Sequence, residues 1–239
     1  MMKPVDAVFF DMGGTLRYRV KDPEMRLQAL TELKRIFSHD GTLDDLSSLL
    51  KRRSSAYKEW SMETLHEAPE EEIWTRWMWP DGNPEKVRSM AVQLEHLWRA
   101  THGRRVARDD AKHVVGALHQ RGYGLGVISN TSSREAVPQA LVEYGLDEYF
   151  PVVILSATSG HRKPGTEIFE LATNQLGVPP ERSAYVGDRP SRDVVGAKRA
   201  GFAMTILIND DLVEVKEPIE EYPAADHTIH DLSELLDIL

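Results

Sequence analysis

Apolar runs that each end in a polar residue recur along the chain, and this pattern restricts the fold more than any other feature. The runs are rich in β-branched, aromatic and aliphatic residues and show no strict alternation of polar and apolar positions. Runs of this kind are typical of strands that are buried on both faces, as in a parallel sheet. The predicted strands are residues 5–10, 124–128, 152–155, 184–187 and 202–208.

Helical patterns separate these runs. One begins with Asp109 and Asp110 and most end at a glycine, which are ordinary signals for the start and the end of a helix. Strands that alternate with helices long enough to cross over indicate a parallel sheet covered on both faces. The sequence therefore predicts an α/β fold with a Rossmann-like three-layer core. The predicted helices of this core are residues 109–121, 133–144, 165–176, 191–200 and 231–238.

Residues 17–105 differ from the rest of the chain because they contain no convincing strand. They show four or five helical patterns, one of which has a capping-box-like start at Thr42. All five tryptophans lie between positions 60 and 98, and we expect most of them to form a separate small core, the alternative being that some line a substrate pocket. The sequence thus predicts an α/β core of residues 1–16 and 106–239 and an inserted helical unit of residues 17–105.

The composition excludes several classes of protein. The 239 residues include 29 Lys and Arg against 38 Asp and Glu, and a net charge of −9 argues against binding to nucleic acid or to an anionic membrane. The absence of cysteine excludes a thiolate nucleophile, a disulfide scaffold and a cysteine-ligated zinc. No apolar run reaches the roughly 20 residues that span a bilayer, and Asp6 argues against a signal peptide. We expect a cytoplasmic protein that is a monomer or a homodimer.

Three polar residues come directly after predicted strands. Asp11, Ser129 and Asp188 each stand at a strand end, and ligands of open α/β sheets bind outside the carboxyl ends of the strands. After Asp11, two glycines permit a tight turn that presents backbone N–H groups to an anion, and Thr15 adds a hydroxyl donor. We therefore expect these side chains to face one crevice, although they are far apart in the chain.

Further charged residues lie on loops near the same edge. Asp188 and Asp193 precede or open a helix and suit a hard cation such as Mg²⁺, although Asp193 could equally stabilise the first turn of that helix. Lys163 stands on another loop before a helix, where a lysine is often only a solvated charge. With Ser129 and Asn130, these residues would supply a carboxylate nucleophile, metal ligands, phosphate donors and a positive charge, which are the parts that phosphoryl transfer requires.

In order and spacing, these phrases resemble the four motifs of the haloacid dehalogenase (HAD) superfamily of hydrolases. The motifs stand here as residues 9–16, 127–130, 161–164 and 187–193. The resemblance spans nearly the whole chain, and the helical insertion resembles the α-helical (C1) cap of that superfamily. It implies a Mg²⁺-dependent hydrolase with an aspartate nucleophile, and a phosphatase that acts on a small phosphorylated metabolite.

The resemblance also assigns a role to each matching residue. Asp11 would be the nucleophile, and Lys163 would be the catalytic cation that pairs with both Asp11 and the phosphate. The residues that would bind the phosphate are Gly14, Thr15, Ser129, Asn130 and Lys163, and those that would hold Mg²⁺ are Asp11, the carbonyl of Gly13, Asp188 and Asp193.

Gly13 departs from the family pattern. Phosphatases of the family carry an aspartate at this position, which acts as the general acid for the leaving group and then as the base for water. Glycine keeps the carbonyl ligand but has no proton to give, and general acid–base catalysis contributes roughly 10²–10⁴-fold. We therefore expect poor turnover of alkyl phosphates unless a cap histidine supplies the proton. A substrate with a good leaving group, such as an acyl phosphate, would not need that proton. The candidate histidines are His66, His96 and His102.

Gly13 also keeps two alternative functions open. One is a phosphonatase-like C–P hydrolase, since the phosphonatases of the family lack the acid and use a cap lysine, for which Lys51 or Lys58 would be the candidate. The other is a catalytically impaired member that binds a phosphorylated ligand or a protein partner without turnover. The retained Asp11, Lys163, Asp188 and Asp193 argue against this second alternative.

Overall fold

The computed structural model describes residues 5–212 and 217–239. Part of the N-terminal stretch on which the signal-peptide expectation rests, residues 1–4, lies outside the described residues. Within the described ranges, none of the helices combines the length and apolar character that crossing a bilayer requires. The strands are β1 (Ala7–Phe10), β2 (Arg17–Val20), β3 (Arg104–Ala107), β4 (Gly124–Ser129), β5 (Val152–Leu155), β6 (Ser183–Gly187), β7 (Met204–Ile208) and β8 (His227–Ile229). The helices are α1 (Pro23–Phe37), α2 (Leu43–Thr64), α3 (Glu70–Glu72), α4 (Pro84–Ser89), α5 (Ala91–Ala100), α6 (Ala111–Gln120), α7 (Ala136–Tyr144), α8 (Ser156–Ser159), α9 (Glu167–Leu176), α10 (Val195–Arg199) and α11 (Leu235–Ile238).

Six strands form one parallel sheet in the order β5-β4-β1-β6-β7-β8. The central strand β1 pairs with β4 and β6, so that Phe10 lies opposite both Val127 and Val186. Because these strands run in the same direction, the polar residues that follow them reach the same edge of the sheet. The predicted α/β fold is confirmed, and β8 is an additional edge strand that is too short to show a pattern in the sequence.

Side chains of β1 alternate between two apolar clusters, one on each face of the sheet. Val8 and Phe10 pack with residues of α6, α7 and α11, whereas Ala7 and Phe9 pack with residues of α9 and α10. All four of these β1 side chains are fully buried. This arrangement is the three-layer core that the unbroken apolar run predicts, because both faces of the sheet are covered by helices.

Helices α1 to α5 surround a third apolar cluster that contains the aromatic residues of the insertion. Trp74 is fully buried and Trp98 is buried, and the other three tryptophans pack against the same cluster. Trp79 stacks on Phe37 with ring centroids 3.8 Å apart, and it does not line the cavity described below. The interpretation of the tryptophans as core residues is therefore supported.

Residues 17–105 are not entirely helical, which corrects the expectation of no strand there. At the two ends of this stretch, β2 and β3 form an antiparallel two-stranded ribbon. The ribbon escaped the sequence analysis because its strands have four residues each and half of those residues are arginines, so neither strand shows an apolar run. The helical pattern of residues 84–102 is also divided, since α4 ends at Ser89 and α5 begins at Ala91.

Candidate active site

A cavity of about 250 Å³ lies at the carboxyl edge of the sheet. It is lined by Asp11, Ser129 and Asp188, which follow or end β1, β4 and β6. Gly13, Gly14 and Asn130 line the same cavity. The structure thus brings together, from three strand ends, most of the residues that the sequence analysis selected. Lys163 and Asp193 lie directly behind the cavity wall, where both are almost fully buried.

Lys163 is a buried cation that links two carboxylates. Its Nζ donates to Asp11 Oδ1 at 2.7 Å and to Asp193 Oδ1 at 2.6 Å. The same Nζ lies 2.7 Å from the hydroxyl of Tyr185 and 3.0 Å from the carbonyl of Ile128. A buried ammonium requires such partners, because an unpaired charge in the interior is costly. Lys163 is therefore held in one position, with its charge directed at Asp11.

Asn130 fixes the loop that carries Lys163. The side-chain amide of Asn130 donates to the Lys163 carbonyl at 2.9 Å, and its oxygen accepts from the Lys163 backbone N–H at 2.9 Å. Both ends of the Asn130 side chain are therefore engaged with a neighbouring loop. Any contact of Asn130 with an anion in the cavity would come from its backbone N–H, as the family resemblance implies.

Three carboxylates converge beside the cavity. Asp11, Asp188 and Asp193 each offer an oxygen, and these atoms lie within 4.8 Å of one another. Burial, and then the nearby Asp11 and Asp193, raise the pKa of Asp188 to about 7. For Asp193, burial opposes ionisation, yet Lys163 and Arg192 hold the pKa of its carboxyl below the usual range. At Asp188, burial and the two neighbouring carboxylates therefore outweigh the attraction of Arg192 and of Arg189, whose Nε lies 3.4 Å from Asp188 Oδ2.

This cluster suits a hard divalent cation. Its donors are all oxygens, the kind that Mg²⁺ prefers. Asp188 Oδ1 is buried and has no hydrogen-bond partner among the described residues, so a cation would satisfy an otherwise unpaired acceptor. Asp193 is more occupied, since its Oδ1 accepts from Lys163 and its Oδ2 accepts from the backbone N–H of Arg189 at 2.9 Å. The residues present therefore fit Mg²⁺, with Asp188 as the most available carboxylate.

Two glycines allow the carboxylates to approach the backbone. A Cβ on Gly14 would lie 2.2 Å from Asp188 Oδ2, and the φ of +93° at Gly14 is one that other residues rarely adopt. A Cβ on Gly187 would lie 2.4 Å from the Cβ of Asp193. Any side chain at either position would therefore displace one of the two acids. Gly13 differs, because a Cβ there would meet nothing within 4 Å.

Several predicted or candidate residues are not brought to the cavity. Thr15 is fully buried, and its hydroxyl has no hydrogen-bond partner in the described part of the chain. Thr15 does not line the cavity, so its position does not support the predicted role in phosphate binding. The three candidate histidines do not line the cavity either; they are His66, His96 and His102. Lys51 and Lys58, the candidate phosphonatase lysines, are exposed and also lie outside its walls.

The sequence analysis missed Tyr185 and a set of arginines. Burial, and then the carboxylate of Asp193, raise the pKa of Tyr185 well above its usual value, so its hydroxyl keeps its proton and donates. This hydroxyl is 3.2 Å from Asp193 Oδ1, and it helps to orient both Asp193 and Lys163. Tyr185 lies inside a strand, where an apolar pattern conceals a polar atom. The arginines that line the cavity are Arg17, Arg19, Arg99, Arg105, Arg189 and Arg192.

Buried glutamates connect the helical insertion to loops near the cavity. Glu67 accepts hydrogen bonds from Ser156, at 2.6 Å, and from Arg162, next to Lys163 in the chain. Glu95 on α5 accepts from Ser132 at 2.6 Å, two residues after Asn130. Carboxylates buried in this way need their partners, because an unpaired buried charge is costly. These bonds join the insertion to loops beside the cavity.

Comparisons with known proteins agree with this geometry. A family model for haloacid dehalogenase-like hydrolases matches residues 5–201. The glyceraldehyde 3-phosphate phosphatase of Methanothermobacter thermautotrophicus is 38% identical over 123 residues, which are 51% of this chain and 54% of that relative. The pyrophosphatase PpaX of Halalkalibacterium halodurans is 30% identical over 162 residues, which are 66% of this chain and 71% of that relative.

A solved structure extends the similarity to almost the whole chain. A HAD phosphatase from Thermococcus onnurineus superimposes with a TM-score of 0.65 and 27% identity, covering 98% of this chain and 97% of that one. The match to the family model covers all four sequence motifs, from the strand before Asp11 to the helix after Asp193. We conclude that the chain belongs to the haloacid dehalogenase-like hydrolases.

Proposed function

We propose that the protein is a Mg²⁺-dependent phosphatase that uses Asp11 as its nucleophile and acts on a small phosphorylated metabolite. One observation carries the proposal: Lys163 Nζ bridges Asp11 and Asp193 beside a cavity that also exposes Ser129. A carboxylate held by a cation at the edge of a polar cavity is suited to attack a phosphorus atom. The two relatives, a glyceraldehyde 3-phosphate phosphatase and a pyrophosphatase, support the same reaction class.

Each residue of the site has a distinct task in this reaction. A carboxylate oxygen of Asp11 attacks the phosphorus, the leaving group departs, and water then hydrolyses the aspartyl phosphate. Lys163 neutralises negative charge on Asp11 and on the phosphate, and the hydroxyl of Ser129 donates to a phosphate oxygen. Asn130 and Tyr185 keep Lys163 in position for both steps.

Asp11, the carbonyl of Gly13, Asp188 and Asp193 would hold Mg²⁺, which supplies charge neutralisation for the phosphate oxygens. The oxygen-only donor set and the unpaired Asp188 Oδ1 support this assignment. We further propose that residues 17–105 act as a cap. Glu67 and Glu95 support this role, since they join the insertion to loops beside the cavity.

The glycine at position 13 restricts the substrates that this site handles well. No histidine lines the described cavity, so no imidazole is available there to protonate a leaving group. Because general acid catalysis contributes roughly 10²–10⁴-fold, substrates with good leaving groups, such as acyl or aryl phosphates, are favoured. A phosphonatase reaction has less support, because neither Lys51 nor Lys58 lines the cavity.

The test is a screen of phosphorylated metabolites, acyl phosphates and phosphonates in the presence of Mg²⁺. We expect hydrolysis that is lost in EDTA and in Asp11→Asn, which removes the nucleophile with little change in volume. Asp45→Asn is a control that also removes one carboxylate. Asp45 lies in the first turn of α2 and does not line the cavity. Hydrolysis that persists in Asp11→Asn would contradict the mechanism. Ligand binding without any turnover by the wild type would favour the binding role instead.

A further inference from the structure

A short segment of the helical insertion pairs with the core loop that leads to Lys163. The backbone N–H of Glu67 donates to the carbonyl of Gly160 at 2.9 Å. In return, the backbone N–H of Arg162 donates to the carbonyl of Leu65 at 3.0 Å, and the two bonds form an isolated antiparallel bridge. Because Arg162 directly precedes Lys163, the insertion constrains the backbone next to the buried cation.

The side chain of Glu67 is fully buried at this junction and makes contacts in two directions. Its Oε2 forms an ion pair with Arg162 and accepts from Ser156 Oγ at 2.6 Å. Its Oε1 accepts from the hydroxyl of Tyr57, which belongs to the insertion. Burial, and then the charge of Glu67, raise the pKa of Tyr57, so that this hydroxyl keeps its proton and donates. One carboxylate oxygen therefore contacts the core and the other contacts the insertion.

Ser156 extends the contact with Glu67 to the loop that follows Ser129. Its Oγ accepts from the backbone N–H of Thr131 at 2.8 Å and lies 3.1 Å from the Thr131 carbonyl. A hydroxyl has one proton to donate, and the carboxylate is both the closer and the stronger acceptor. The proton therefore points to Glu67, which leaves a lone pair for the Thr131 N–H. Thr131 lines the cavity, two residues after Ser129.

The two loops that Glu67 reaches are also joined to each other. These loops are residues 129–131 and 160–163, and the side chain of Asn130 makes two hydrogen bonds of 2.9 Å to the backbone of Lys163. A displacement of either loop would therefore move the other. It would also move the Lys163 ammonium, which lies 2.7 Å from Asp11 Oδ1.

Stability by itself is a weak explanation for a charge buried at this junction. Replacing a buried ion pair by apolar residues of similar volume is often neutral or stabilising. A carboxylate that accepts from three side chains fixes their relative positions, which an apolar contact does not do. Positioning of this kind is valuable at an active site, because a misplacement of about 1 Å can cost about 10²-fold in rate.

We infer that Glu67 is a positioning residue, which acts from the insertion through Ser156 and Arg162 on the two loops that face the phosphate. The inference rests on the proposed function and deepens it, since the anion site is then incomplete without a carboxylate of the insertion. Glu67 does not line the cavity. Its effect is therefore on the placement of the donors that stabilise the transition state, and not on the reacting atoms themselves.

Anion binding tests the inference without requiring turnover. Orthovanadate can adopt the five-coordinate geometry of phosphoryl transfer, and such an analogue depends on accurately placed donors more than a ground-state ligand does. Calorimetry with Mg²⁺ would compare the Kd of orthovanadate with that of inorganic phosphate. We expect Glu67→Gln to weaken vanadate binding about tenfold or more, and to weaken phosphate binding less.

Ser156→Ala removes one of the two connections and should also weaken vanadate binding. The double variant should bind vanadate no more weakly than Glu67→Gln alone, because both changes interrupt the same chain of hydrogen bonds. Losses that simply add would contradict a connection through Ser156. Should Glu67→Gln fail to fold, Ser156→Ala decides the question, and an unchanged Kd for vanadate in that variant would overturn the inference.

Tyr57→Phe is the matched control. It removes the hydrogen bond that Glu67 accepts within the insertion and leaves those from Ser156 and Arg162 in place. We expect a lower melting temperature with an unchanged Kd for vanadate. Unfolded molecules reduce the number of binding sites in calorimetry but not the affinity of the folded ones, so instability does not imitate the expected effect.

Two results would overturn the inference and leave the proposed function intact. One is a lower melting temperature of Glu67→Gln with an unchanged Kd for vanadate, which would make its role structural. The other is an equal loss of vanadate affinity in Tyr57→Phe. The proposed function is judged by hydrolysis in its own screen, and a wild type that binds vanadate but hydrolyses no phosphate would contradict that function while the comparison of variants still holds. A wild type that binds neither anion would overturn both.

Discussion

Gly13→Asp should convert the protein into a better phosphatase for poor leaving groups. The substitution has room, because a Cβ at Gly13 would meet nothing within 4 Å and the residue is exposed to the cavity. The φ of Gly13 is not positive, so an aspartate at this position causes no left-handed backbone strain. The neighbouring Gly14 could not accept the same change, since its Cβ would collide with Asp188.

The expected gain follows from the chemistry of the new carboxyl. A general acid contributes roughly 10²–10⁴-fold, which is about 3–5 kcal/mol of the activation barrier. The aspartate would lie beside Asp11 and near Asp188. The pKa of Asp188 is itself raised to about 7 by burial and then by the carboxylates of Asp11 and Asp193. Neighbouring carboxylates favour the neutral form of a new carboxyl group, and the neutral form is the one that can donate a proton.

The assay compares kcat for an alkyl phosphate and for p-nitrophenyl phosphate with Mg²⁺. We expect a gain of about 10²-fold or more for the alkyl ester, and a much smaller one for the aryl ester, whose leaving group needs no proton. Gly13→Asn is the matched control, because it has the same shape without an acidic proton. A wild type that already hydrolyses alkyl and aryl phosphates equally well would refute the reasoning, and so would an equal gain in Gly13→Asn.

Two further predictions concern the acidic cluster. Gly14→Ala should lower both the free energy of unfolding and the Mg²⁺-dependent activity, because its Cβ would collide with Asp188. Gly177→Ala is the control, since Gly177 also has a positive φ but no atom lies within 4 Å of a Cβ built there. If urea unfolding shows the same loss of stability in both variants, the proposed clash with Asp188 is contradicted. Since the pKa of Asp188 rises from 3.8 to about 7 on folding, its protonated form stabilises the metal-free protein at low pH, and the free energy of unfolding should fall as pH rises towards 7. Asp188→Asn should flatten that dependence in EDTA, and an unchanged slope would show that other groups cause it.

The motif residues were predictable because their positions follow from local rules. Asp11, Ser129 and Asp188 come after or at the end of buried apolar strands, and the carboxyl ends of parallel strands meet at one edge. Lys163 and Asp193 were selected because they are charged residues near the start of predicted helices and because they match motifs of the family. Their mutual hydrogen bond was beyond sequence reasoning, because it depends on how two loops fold back towards the same strand end.

By itself, the sequence determined the layered α/β core, the helical insertion with its aromatic cluster and the set of acidic residues at the strand ends. These features arise from short-range periodicity and from strand direction, which a chain displays without its partners. Tertiary structure alone decided the rest: the engagement of Asn130 with Lys163, the burial of Thr15 and the ribbon that sets Arg19 opposite Arg105. The pairing of strands that are distant in the chain is set by register, and register is a property of the folded molecule rather than of either segment.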